Sequence, residues 1–476
     1  MNNFTQSLLN QINLKLKDKP LIYFCKDSER ATGLESLLQN YHIACAEDNY
    51  LTRLLSKKAD VYCDQLVNKN IRINSTLELL SSPNLVSWVK QITNNQEFYG
   101  QFFQFNNPSA IKLVNLKGTI LNNDVNLNRK FEDKLSQYKF LLENKLPIPQ
   151  TIVGNISEFS YHDLNNDLGA EFVVQLDRAH TGLGTFFVKN ENEWTKLQKN
   201  IAGNIVKLSK VIKGTPYTIN GCITKKGVFV AGLQYQITGI PELTDGAGST
   251  VGNDFSYANE LNPQIKTQIF DLVKYVGELM QNEGFKGLFG IDLILENNVN
   301  PILIEINARQ TANIALQTRL ELKAEITPLA LINLAEFLNI AIEEEPPTEI
   351  RPLEGSQVFL RAKQDNFKIN HALKSGIYRL QSDNAAVDWN SLQLKDGVIL
   401  IDEEGDKPLV WQNDGYNLTD IEPKTGGFVL LIQADNSIKH RTDEVARMQF
   451  SNRVVSSAGL SPWILEAFSS IENIIK

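Results

Sequence analysis

The sequence predicts a mixed α/β and α+β fold built from several domains, and three observations point to it. Residues from about 19 to 118 alternate short apolar runs with helical patterns ("PLIYFC", "GLESLLQNY", "HIACAE", "ADVYC"), the rhythm of a small parallel sheet layered with helices. From residue 214 onward the long run "YTINGCITKKGVFVAGLQYQITG" reads as antiparallel strands. The stretch "EEEPPTEIRP" (343–352) concentrates charge and proline and sets off a β-rich C-terminal piece. The expected division is therefore 1–118, 119–342 and 343–476, and 476 residues with 42% hydrophobic content can give each part a core.

Composition narrows the function. A net charge of −8 argues against nucleic acid or an anionic membrane as the main partner, since the overall field attracts neither. The start "MNNFTQSLLNQINLKLKDKP" lacks a basic segment followed by an apolar core, and no later run approaches about 18 apolar residues. A cytoplasmic, soluble protein is expected. Cys25, Cys45, Cys63 and Cys222 show no C-x-x-C spacing, so they read as reduced, buried thiols rather than disulfides or a zinc site. No G-x-G-x-x-G follows the first strand, which argues against a dinucleotide site there.

The remaining elements follow in order. In "NRKFEDKLSQYKFLLENKLPIPQTIV", Leu135, Tyr138, Leu141 and Leu142 share one face of a helix that Pro147 and Pro149 stop. Residues 151–213 read as strand, helix, and a hairpin with a Gly-rich loop ("EFVVQLDRAHTGLGTFFVKN"), then the helix "NEWTKLQKNI" and the strand "VKLSKVI". A helix is expected from about 262 to 283. After "GSQVFLRAK" the C-terminal piece is expected to be closed by a helix near 441–458.

The chemistry concentrates in "GLFGIDLILENNVNPILIEINARQ" (287–310), two strands joined by the turn-favouring residues Asn297 to Asn300. Pairing symmetric about that turn sets Asp292 opposite Glu305. The period of two puts Ile291, Leu293, Leu295, Ile302, Ile304 and Ile306 on one face, and Asp292, Glu305, Asn307 and Arg309 on the other. Two carboxylates roughly 5 Å apart across such a pair repel each other. A divalent cation compensates them, and oxygens from Asp292, Glu305 and the Asn307 amide suit Mg²⁺ or Mn²⁺. Arg309, one step along, would meet a phosphate or a developing anion. The pattern alone also fits an edge hairpin with a solvated polar face.

G-x-x-G-x-D followed by "IEINAR" resembles the metal-binding strand pair of the ATP-grasp superfamily, and the resemblance runs from about residue 130 to 340. It implies an ATP-grasp fold with an N-terminal pre-grasp α/β domain, a mobile lid over about 151–213 and a β-rich C-terminal domain. It implies Mg-ATP as cofactor, with Asp292, Glu305 and Asn307 as metal ligands and Arg309 near the reacting phosphoryl group. "FEDKLSQ" is similar to the segment in which a D-K pair opens a helix, so Lys134 is expected to reach an ATP phosphate. "TGLGT" resembles the loop that closes over the phosphates, where Gly182 and Gly184 allow close backbone approach. "LSKVIKG" resembles the linker whose backbone at Lys210 and Ile212 reads the adenine edge.

Departures from the family pattern matter as well. Gln175 stands where many members have a second phosphate lysine, so Lys189, Arg178 or another cation must substitute or phosphate affinity falls. Ser209 stands where an acid is frequent. "GSQVFLRAKQD" is similar to the C-terminal domain of the biotin-carboxylase branch, which implies an active-site arginine at Arg361, while Asn313 replaces that branch's bicarbonate-activating glutamate. The resemblance implies an ATP-dependent ligase joining a small-molecule carboxylate to an amine through an acyl phosphate. A bicarbonate-dependent carboxylase and a non-catalytic ATP-binding module remain the alternatives, and a homodimer is compatible with all three. The glycines of 241–260 ("ELTDGAGSTVGNDF") suit a substrate pocket or a plain loop.

Overall fold

The computed structural model describes residues 1–57, 60–68, 73, 76–104, 113, 115–177, 184–370, 373–380, 409–421, 427–433 and 437–476. The first layer is a parallel sheet of β1 (Leu21–Cys25), β2 (Tyr41–Cys45), β3 (Val61–Cys63), β4 (Phe98–Phe102) and β5 (Gly118–Ile120), in the order β3-β2-β1-β4-β5. Both faces are covered, so every residue of β1 and β2 is buried. The strand order reverses between β1 and β4, and the loops leaving those two strands therefore open onto a crevice.

The helix expected from "GLESLLQNY" does not form; a single 3-10 turn (Ser28–Ala31) follows β1 instead. Glu35 explains this, because its carboxylate accepts the Gly33 N–H (2.5 Å) and the Tyr416 hydroxyl (2.9 Å), while Gly33 sits at φ +111°.

Residues 151–210 form a separate antiparallel sheet of β6 (Thr151–Asn155), β7 (Phe172–Leu176), β8 (Thr185–Val188) and β9 (Ile205–Lys210), ordered β6-β9-β7-β8. Its own core centres on Phe172, Val174, Trp194 and Leu208. The strand and helix rhythm is the one the sequence suggests.

The largest sheet contains β10 (Gly214–Thr224), β11 (Gly227–Thr238), β12 (Thr250–Asp254), β13 (Gly287–Glu296) and β14 (Asn300–Asn307), all antiparallel. It continues past residues 343–352, because β12 pairs with β15 (Ser356–Arg361). The C-terminal strands are β16 (Phe367–Lys368), β17 (Gly376–Leu380), β18 (Leu409–Asn413), β19 (Phe428–Ile432), β20 (Ile438–Lys439), β21 (Glu444–Phe450) and the two-residue pair β22 (Val455–Ser456) and β23 (Gly459–Leu460). Ten strands thus run in the order β14-β13-β10-β11-β12-β15-β21-β19-β17-β18, with β16 and β20 as a small ribbon.

The expected helix near 441–458 is instead β21, and the closing helix is Pro462–Ile475. β21 lies between β15 and β19, and Ala446, Met448 and Phe450 alternate with Arg447 and Gln449, the period of two that marks a strand although both faces are buried. The helix Pro263–Asn282 lies where it was expected.

β21 also brings Arg447 into the interior, 1% exposed, where Nη1 donates to Glu29 (2.5 Å) and Nε and Nη2 donate to Glu444 (2.8 and 2.7 Å). Burial would raise the Glu444 carboxyl, but Arg447, Arg30 and Arg361 hold it down to about 2. Glu29 moves the other way, raised by burial. Glu444→Gln is expected to cost about 3–5 kcal/mol near neutral pH, because it leaves Arg447 partly unpaired. The depressed folded pKa means this stabilisation is present above the ordinary carboxylate pKa and lost as pH falls toward about 2. Chemical denaturation from pH 7 to pH 2 should show the gap between wild type and variant narrowing below about pH 4.5.

Candidate active site

β13 and β14 pair with Asp292 directly opposite Glu305 as expected, but the turn is shorter than expected: Asn300 already pairs with Glu296, so the strands leave the turn one residue off the symmetric register, with Asn297 and Asn298 both at positive φ. One residue beyond, a β-bulge shifts the register so that Leu293 faces Leu303 and Ile304 is left without a partner. The expected aliphatic face is corrected accordingly: Leu303 joins Ile291, Leu293, Leu295 and Ile306 in the core, while Ile304 lines the cleft beside Glu305 and Ile302 is only partly buried.

The strand is fixed from behind by Gln137, whose side chain accepts the Ile306 N–H (3.1 Å) and donates to the Ile306 carbonyl (2.7 Å). Gln137, Phe140 and Leu141 are the buried residues of the helix Lys134–Glu143. Leu142, expected on that face, is 55% exposed, because the polar Gln137 side chain is satisfied by backbone and takes the inner position.

The carboxylates differ in state. Asp292 accepts from Thr218 Oγ1 (2.6 Å) and Asn307 Nδ2 (3.1 Å), yet burial and the charge of Glu305 push it up to about 6. Burial also acts to raise Glu305, but a salt bridge to Lys134 and the charges of Arg309 and Lys207 hold it below the usual range. Arg309 donates to Asn307 Oδ1 (2.7 Å) and pairs with Glu132 (3.3 Å). Among the described residues no three His, Cys, Asp or Glu side chains are arranged to hold a metal ion alone. Two carboxylates and one amide form a partial set, which is what Mg²⁺ takes when phosphates supply further oxygens.

The residue that sequence reasoning missed is Lys207. β7 and β9 pair with Gln175 opposite Lys207, and Lys207 Nζ donates to Gln175 Oε1 (3.2 Å). Its residue is 6% exposed and faces the cleft, and burial together with the Lys134 charge pushes the ammonium down to about 8, against the pull of Glu305. The signal was present in "IVKLSK", where Lys207 and Ser209 alternate with Val206 and Leu208. Lys189 is exposed and lies outside the cleft; Arg178 and Gly182 fall outside the described residues.

These side chains surround one cleft of about 860 Å³, which also takes in Lys210, Ile212, Ser209, Arg361 and residues 246–250. The Lys210 N–H is used by the Gln150 carbonyl (2.9 Å), leaving the Lys210 carbonyl and the Ile212 N–H as the adenine-facing candidates. Gly184 accepts from the Leu176 N–H (3.0 Å) at the base of the hairpin and does not line the cleft. Asn313 does not line it either. It is 4% exposed and bonded to Asn220 (2.9 Å), Thr311 (2.6 Å) and Gln234 (2.8 Å).

Residues 131–313 match the family model of the ATP-grasp domain. No curated protein matches the sequence. Among solved structures, the biotin carboxylase domain of the Hydrogenobacter thermophilus 2-oxoglutarate carboxylase, in complex with Mg-ADP, ADP and bicarbonate, is 13% identical with a TM-score of 0.58, covering 91% of this chain and 86% of its own. N5-carboxyaminoimidazole synthase from Aspergillus clavatus, with ADP and 5-aminoimidazole ribonucleotide, is 10% identical with a TM-score of 0.54, covering 96% and 98%. The L-amino acid ligase from Bacillus licheniformis is 13% identical with a TM-score of 0.54, covering 96% and 97%. No helix among the described residues is long and apolar enough to cross a membrane. Residues 131–313 of this chain form an ATP-grasp domain, and the fold is that of the ATP-grasp superfamily.

Proposed function

We propose that the protein is an ATP-dependent ligase that joins a carboxylate to an amine through an acyl phosphate, releasing ADP and phosphate. The observation that carries this reading is the opposed Asp292 and Glu305 pair, with Asn307 and Arg309 beside it and Lys134 and Lys207 facing it across the cleft. Asp292, Glu305 and Asn307 fit Mg²⁺ or Mn²⁺, since a cation would offset both the burial and the Glu305 charge that raise Asp292, and hard oxygens line the site. Such an ion neutralises charge on the ATP phosphates it shares with the protein.

The chain's own residues carry the other tasks. Lys134 and Lys207 hold phosphate oxygens, while the Lys210 carbonyl and the Ile212 N–H take the adenine edge. Arg309 meets the charge on the γ-phosphoryl group. A carboxylate oxygen of the acid attacks the γ-phosphorus and ADP leaves; the amine then attacks the acyl carbon and phosphate leaves. Glu132, whose Oε1 is buried with no partner among the described residues and whose side chain lines the cleft, receives the amine proton. Arg361 orients a substrate carboxylate.

The similarity to a carboxylase complex with bicarbonate favours a second reading, carboxylation. Against it stands Asn313, whose amide is not basic and whose hydrogen bonds are taken inside the protein. The non-catalytic reading rests on Gln175, and Lys207, which bonds Gln175 and lines the same cleft, speaks against it. ADP release in bicarbonate-depleted buffer, with and without pools of acids and amines, separates the three. Dependence on an acid plus an amine is expected; strict dependence on bicarbonate would overturn ligation.

A further inference from the structure

The cleft wall carries cations that nucleotide binding leaves without a role. Arg30 follows β1 at the point where the strand order of the parallel sheet reverses, a position where α/β folds bind ligands. Its Nη1 donates to the Ala312 carbonyl (2.8 Å), and its guanidinium lies over the Phe103 ring at 5.2 Å. Arg309 lies over the same ring at 5.8 Å, which ties this corner to the reaction centre. Arg361, at the end of β15, is pinned by Nε to the Thr250 carbonyl (2.8 Å) and by Nη1 to the Thr442 carbonyl (2.9 Å). Both arginines line the cleft.

Carbonyls orient these guanidinium groups without neutralising them, and the nearby acids are already engaged. Glu29 lies 3.5 Å from Arg30 but also accepts Arg447, and Glu444 accepts two N–H groups of Arg447. Arg447 takes the closest contacts of both carboxylates, so Arg361 is held by carbonyls alone. Burial, with the like charges of Arg30 and Arg447, lowers the pKa of Arg361, although Glu444 and Asp443 oppose this.

We infer that Arg30 and Arg361 form a subsite for a carboxylate that is not the one activated, so that one of the two substrates is an amino acid or a dicarboxylic acid. This inference rests on the ligase reading for its place in the reaction, but not for its test. The planar guanidinium fork suits bidentate carboxylate binding.

The experiment is calorimetric titration of the full chain saturated with Mg-ADP, which needs no turnover. The probes are the dicarboxylates from malonate to adipate, butyrate as the monocarboxylate, and O-phosphoethanolamine. The best dicarboxylate should bind at least about ten-fold tighter than butyrate, the scale of one charged hydrogen-bonded contact. Arg30→Gln and Arg361→Gln should each remove that preference, and Arg30→Lys should keep part of it. The two residues sit on different elements, so a folding failure of one variant leaves the other to decide. Equal binding of dicarboxylate and butyrate, a preference that survives either Gln substitution, or tighter binding of O-phosphoethanolamine would overturn the assignment. Failure of any acid and amine pair to release ADP would defeat ligation and leave this result standing.

Discussion

Glu305→Gln or Asn307→Ala should abolish ligation while leaving the chain folded. Glu305→Gln replaces an anionic ligand with a neutral amide and Asn307→Ala removes an oxygen ligand, so the cation shared with the phosphates is held far less well. The expected fall in kcat/KM is about 10³-fold, or about 4 kcal/mol. The fold should tolerate Glu305→Gln because two effects offset. Lys134 loses its salt bridge, and Asp292 loses the like charge that helps push its carboxyl up to about 6. ADP release at saturating Mg²⁺, beside a thermal unfolding curve, checks both halves. Unchanged ADP release in both variants would remove these residues from metal binding, and an unfolded variant would mean a structural role instead.

Lys207→Met should raise the Kd for ATP by roughly 10- to 100-fold, since a hydrogen bond to a charged group is worth about 1.5–3 kcal/mol. Gln175 cannot make up the loss, because its amide carries no charge. With the ammonium at about 8 in the free protein, Lys207 loses its charge as pH rises through that value. ATP affinity of the wild type should therefore weaken above about pH 8, while that of Lys207→Met should stay flat across the same range. The folded state should not suffer, because the substitution removes a desolvated charge from a position that is 6% exposed. The exchange Gln175→Lys with Lys207→Gln moves the amine across one strand pair and should recover most of the affinity. Equilibrium nucleotide binding at pH 7 and pH 9 tests this, and an unaltered Kd for Lys207→Met would show that another cation holds the phosphates.

The hairpin was legible because its signals are local. Alternation sets which face is polar, but the register at the turn, Glu296 opposite Asn300, would set Asp292 opposite Ile304, and the bulge restores the expected Asp292 and Glu305 pair. The bulge at Ile304 was not legible, since nothing in "ILIEIN" marks where one residue drops out of the ladder. Lys207 required the register between β7 and β9, strands separated in sequence by a helix and by β8. Arg30 required the order of the parallel sheet and the seating of its side chain near Ala312. β21 and the segment after Gly33 were misread for opposite reasons. The first has a strand alternation over residues 446–450 whose polar residues Arg447 and Gln449 are nonetheless buried, and the second has a helical pattern that the Glu35 carboxylate overrides.

The most direct measurement of the central claim follows oxygen. If a carboxylate attacks the γ-phosphorus and an amine then displaces phosphate, one carboxylate oxygen must leave in the phosphate. With an ¹⁸O-labelled acid that supports ADP release together with its amine, phosphorus NMR or mass analysis of the released phosphate should show one ¹⁸O per turnover. Phosphate free of label, with ADP release that still depends on that acid, would contradict the acyl-phosphate ligase.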